Sequence, residues 1–86
     1  MKEFGQELRR LRHLHGFTQA SLAKAAYYAQ PAAISMIERG AGSAEHPGFN
    51  LILKLGKAMN LTKDELAGLA LAALNDCIKE ANYGIH

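Results

Sequence analysis

Apolar side chains return every three or four positions through most of this chain, the interval that places them on one side of an α-helix. Phe4, Leu8 and Leu11 keep that interval with Arg9, Arg10 and Arg12 between them, and Gly16 follows as a C-terminal stop, so a first helix is predicted there. Thr18 stands where an N-cap accepts a backbone hydrogen bond, and Leu22, Ala23 and Ala26 form one face of a short second helix. Pro31 suits the first turn of a third, with Ile34 and Ile37 facing inward and Gly40 ending it. After a glycine-rich polar loop, Ala41 to Gly48, the period resumes at Phe49, Ile52, Leu55, Gly56 and Met59 and closes at Asn60. Thr62 and Glu65 have the spacing of a capping box and start a fifth helix, which Gly68 either interrupts or leaves whole. Leu66, Leu69, Ala70, Ala73, Leu74, Cys77, Ile78 and Ala81 cover more than one stripe of it. A face that wide asks for two partners, the chain's own core and another subunit. The expected fold class is all-α: a compact five-helix domain, with an extra C-terminal helix if Gly68 breaks the last one.

Composition narrows the function. At 86 residues and 49% hydrophobic content the chain holds one core and no second module. A net charge of +2 is only mildly basic, but its distribution is uneven. Lys2, Arg9, Arg10, Arg12, Lys24, Arg39, Lys54 and Lys57 all precede residue 60, after which acids and bases roughly balance. Cys77 is alone, which rules out an intrachain disulfide, and no charged-then-apolar leader or long apolar span is present, so a soluble cytoplasmic protein is expected, away from membranes. His13 and His15 point apart on a helix, and His46 and His86 fall in a loop and a tail, a poor set for a metal. No nucleophile sits with a paired base and no glycine-rich phosphate loop occurs, so neither an enzyme nor a cofactor is expected.

The run Gly16-Phe17-Thr18-Gln19, then Leu22-Ala23, Ile34-Ser35 and Ile37-Glu38-Arg39-Gly40, resembles the phage repressor and Cro-like helix-turn-helix family, the xenobiotic-response-element type. Pro47-Gly48-Phe49, Leu53-Lys54-Leu55, Lys57 to Leu61 and Asp64-Glu65-Leu66 match that family's closing helices in spacing, so the resemblance covers roughly residues 4 to 66. It implies a single repressor-like DNA-binding domain over residues 1–86, with a core over about 4–66 and a helical extension over about 67–82. The third helix, about 31–39, would enter the major groove of a double-stranded operator. Thr18 and Gln19 would meet phosphate, and Gln30, Pro31, Ala32, Ala33, Ser35 and Met36 would face the bases. Of these, Gln30 and Ser35 are the main polar readers, and the apolar residues suit thymine methyl groups. Arg39, Lys54 and backbone N–H groups of the Ala41 to Gly48 loop would hold the DNA backbone on either side. Arg12 and Glu38 take the family's places for a partly buried ion pair joining the first helix to the end of the third.

Two departures from the family pattern bear on register. The stretch from Leu22 to Ile34 is one residue longer, and Tyr27-Tyr28 stand where a turn glycine is usual. A tyrosine at positive φ is strained, so the chain is expected to remodel this turn. The loop before Pro47 is also longer. The resemblance implies a homodimeric transcriptional regulator, a repressor, and the wide apolar face of the last helix offers Leu69, Ala73, Leu74, Cys77 and Ile78 to pair the two copies. The rival reading is a protein-interaction module, such as an antitoxin whose apolar C-terminal helices grip a toxin.

Overall fold

The computed structural model describes residues 2–40 and 48–81. Five helices run in order, α1 (Lys2–Leu14), α2 (Gln19–Ala25), α3 (Ala32–Arg39), α4 (Phe49–Met59) and α5 (Lys63–Glu80), and no strand occurs among the described residues. The fold is all-α. The periodic apolar positions converge on one core, in which Phe4, Leu8, Leu11, Leu22, Ile34, Leu55, Met59 and Leu69 are fully buried. Helix α1 lies against α5 and α3, while α2 packs on α3 and α4.

Three helices stop in the same way. The Gly16 N–H donates to the His13 carbonyl and the Phe17 N–H to the Arg12 carbonyl at 2.9 Å, with Gly16 at φ 74°. Asn60 and Leu61 repeat the pair at the end of α4, and Tyr27 and Tyr28 repeat it at the end of α2. This pair of hydrogen bonds satisfies carbonyls that a helix end leaves open, and it needs one left-handed residue to turn the chain back.

Helix α5 begins in a capping box. Thr62 Oγ1 accepts from the Glu65 N–H at 3.2 Å, and Glu65 Oε1 accepts from the Thr62 N–H at 2.9 Å. The second bond, reinforced by His15 Nε2 at 3.0 Å, holds the Glu65 carboxyl below its ordinary 4.5. Helix α5 then runs through Gly68 without a break, which settles the question that glycine raised. One interior glycine costs about 1 kcal/mol relative to alanine, too little to divide a helix anchored by its cap and by Leu69, Ala72 and Ala73 in the core.

Asp76 is a carboxylate on that buried stripe, only 3% exposed. Its two oxygens accept from the Glu3 and Phe4 N–H groups, each at 2.9 Å. A residue of the last helix therefore caps the first, favoured by the positive end of the α1 dipole. Lys79 and Asn75 reach Glu3 beside it and extend the same seam.

Candidate nucleic-acid interface

The unit formed by α2, its turn and α3 is held from beneath. Arg12 on α1 donates from Nε to Glu38 Oε2 at 2.5 Å and from Nη2 to Oε1 at 3.2 Å, while its Nη1 reaches the Phe17 carbonyl at 3.0 Å. Both charged side chains are nearly buried, and the fork geometry satisfies the carboxylate on two sides. Gln19 Nε2 adds a third donor to Glu38 Oε1 at 3.2 Å. One carboxylate on α3 thus ties the end of α1 to the start of α2, and Arg12 adds the loop between them. Gln19, expected at phosphate, has its amide nitrogen turned into this lock.

Gly5 sets how close α1 can come. A Cβ there would lie 2.2 Å from the Glu38 carbonyl oxygen and 2.7 Å from its carbon. Backbone meets backbone at this crossing, which only glycine permits. Sequence reading passed over Gly5. Its signal was a glycine inside a helical run, where a packing reason is the usual explanation.

Thr18 caps α2 and is exposed. Its Oγ1 accepts from the Ser21 N–H at 2.9 Å, and Ser21 Oγ accepts from the Thr18 N–H at 2.9 Å. Along α3, Ile34 points fully into the core, while Ala32, Met36 and Arg39 form an exposed face at helical spacing. Ala33 and Ser35 lie half-buried at its edges, and Gln30 and Pro31 are exposed ahead of it. That face is small and mostly apolar, with Arg39 at its C-terminal end. The Ala41 to Gly48 loop lies outside the described residues up to position 47.

The turn overturns one expectation. Tyr27 sits at φ 63°, the left-handed conformation that the chain was expected to avoid. The reason lies in the helix closure itself. With the Tyr28 N–H bonded to the Ala23 carbonyl at 2.8 Å and the Tyr27 N–H to the Lys24 carbonyl at 3.1 Å, position 27 must turn left-handed whatever its side chain. Tyr28 packs against the core, where burial pushes its hydroxyl up, and Lys54 Nζ lies 4.3 Å from its ring centroid. Lys54, expected to hold the DNA backbone, thereby leans over the turn from α4. Sequence reading did not find this pairing, since no local spacing links positions 28 and 54.

A second surface gathers on α4 and α5. Leu69 and Ala73, expected among the pairing residues, are buried in the chain's own core. Phe49 at 80% exposure and Leu71 and Leu74 near 55% line a groove that includes Cys77 and Ala70, and Leu53 and Ile78 are further exposed apolar residues of the same two helices. The helical period had marked Leu74, Cys77 and Ile78 but not the contribution of α4. No helix among the described residues is long and apolar enough to cross a membrane, and no cluster of metal-ligating residues occurs among them.

No protein-family model and no curated protein sequence matches this chain. Among solved structures it is similar to the restriction-modification controller protein C.AhdI from Aeromonas hydrophila, with 33% identity and a TM-score of 0.61 over 74% of this chain and 91% of that one. Likeness in both sequence and helix arrangement over nearly all of the other protein, added to the locked α2–α3 unit, means that the chain belongs to the Cro-like helix-turn-helix regulator family of that controller.

Proposed function

We propose that this protein is a sequence-specific DNA-binding transcriptional regulator of the controller type, a repressor that reads the major groove with α3 as a homodimer. The observation that carries the reading is the division of α3: Ile34 and Glu38 are fixed inside, while Ala32, Met36 and Arg39 face outward. A rigidly held helix with an uncovered face is what groove entry requires. Gln30 and Ser35 supply hydrogen bonds to base edges, and Ala32, Ala33, Pro31 and Met36 supply apolar contact to thymine methyls. Thr18 at the start of α2, with Arg39 and Lys54, binds phosphate. Gln19 joins them through the lock that orients it, because its fixed amide sets the position of the α2 N-terminus.

The apolar surface of α4 and α5 pairs two copies. A two-fold dimer presents two α3 helices to two half-sites about one turn of DNA apart. The same exposed leucines favour, as a second reading, a distinct protein partner such as a toxin.

A titration of labelled duplex from the gene's own upstream region, with scrambled competitor at two salt concentrations, tests the proposal. Binding that resists competitor and weakens with salt supports it. Binding lost to competitor at equal mass removes sequence reading and transfers attention to the apolar surface.

A further inference from the structure

Tyr27 is held in a backbone conformation that penalises it, and its ring does little for the fold. A non-glycine residue in the left-handed region is strained, yet Tyr27 is 90% exposed. The ring instead stands between two shallow concavities. One passes Lys24 and Tyr28 to reach Gln30 and Pro31 at the head of α3. The other lies against α4 and is lined by Ala25, Tyr27, Lys54, Lys57 and Ala58. Lysines line both and no carboxylate lines either. Lys54 is steered into place by the Tyr28 ring beneath it.

We infer that Tyr27 and Lys57 extend the phosphate contact already given to Lys54 into a second contact for the sugar-phosphate backbone of DNA, flanking the α3 reading face. The inference rests on the proposal that α3 binds DNA, since the first concavity joins the two surfaces at Gln30. An exposed aromatic ring offers a flat apolar plate to a deoxyribose edge, and cations on its α4 side meet the adjoining phosphates. A polyanion matches this chemistry. DNA is favoured over an acidic protein because a duplex seated on α3 has its backbone already at hand.

The test uses Tyr27→Gly and Lys57→Gln in the full chain. Glycine relieves the left-handed strain, so Tyr27→Gly should melt no lower than the native protein, which separates lost binding from lost folding. Its affinity for the upstream duplex should fall about tenfold, and Lys57→Gln should reduce the slope of log affinity against log salt by about one. Both variants binding with native affinity and slope, while the native chain still prefers its own duplex, would overturn the second contact and leave the α3 reading intact. No preference by the native chain overturns both. Saturable binding of a polyglutamate peptide that both variants lose, with their operator affinity unchanged, assigns the surface to an acidic protein and overturns the DNA assignment.

Discussion

Arg12 divides its guanidinium among three acceptor positions, two on Glu38 and one on the Phe17 carbonyl, and water replaces few of them because both side chains are nearly buried. Removing one member of such a pair leaves the other charged and poorly solvated. Glu38→Ala is therefore expected to lower unfolding free energy by about 3–5 kcal/mol in urea titrations. Glu7 and Arg10 make an ion pair of similar length at 2.6 Å, but it is open to solvent, and Glu7→Ala should cost under about 1 kcal/mol. Equal losses in the two variants would show that the buried lock contributes nothing special. Gly5 poses a steric question. Its missing Cβ is 2.2 Å from a backbone oxygen of α3, which cannot rotate away as a side chain does. Gly5→Ala should cost about 1–3 kcal/mol, although alanine is the better helix former; a more stable alanine variant would refute the close crossing.

The helices differ in how much of their placement is local. Capping residues Thr18, Thr62 and Glu65, the stop at Gly16 and the inward faces of α1 and α4 depend on neighbours within a few positions, and spacing alone reveals them. The unbroken α5 and the left-handed Tyr27 were harder to read. In each, a favourable context outweighs a residue's own preference: core packing for Gly68, and paired helix-closing hydrogen bonds for Tyr27. Gly5 against Glu38, Asp76 on the start of α1 and Lys54 over Tyr28 were illegible because each joins positions far apart in sequence. Asp76 left one trace, its place on the same stripe as Leu69 and Ala73. Two hydrogen-bonded carboxyls, one within α1 and one at the start of α5, also set a pH dependence. The Arg10 hydrogen bond holds the Glu7 carboxyl below 4.5, and the Thr62 N–H does the same for Glu65. As pH falls through that range the unfolded chain takes up protons first, so their stabilisation is full above about pH 4.5 and is lost below it. The urea midpoint should drop as pH falls below about 4.5, and less in a Glu7→Gln, Glu65→Gln variant; an equal drop in that variant would exclude these two carboxyls as the cause.

Taken whole, the molecule has two distinct surfaces, the small α3 face with Arg39 at its end beside Lys24, Lys54 and Lys57, and an apolar one across α4 and α5. Burial of Phe49, Leu53, Leu71 and Leu74 against a second copy should make the protein a dimer in size-exclusion light scattering. Leu74→Asp should give monomer with native helix content, and a native chain that is monomeric at high concentration would exclude self-pairing. Sequence reading by α3 is then measured as a ratio, the affinity for the upstream duplex divided by that for a scrambled one. The Gln30→Ala, Ser35→Ala variant is compared with the native chain at one salt concentration. Each lost base contact is worth about 1–3 kcal/mol of discrimination, so the ratio should fall at least about tenfold while scrambled-duplex affinity stays near native. An unchanged ratio would contradict the assignment of α3 as the reading helix.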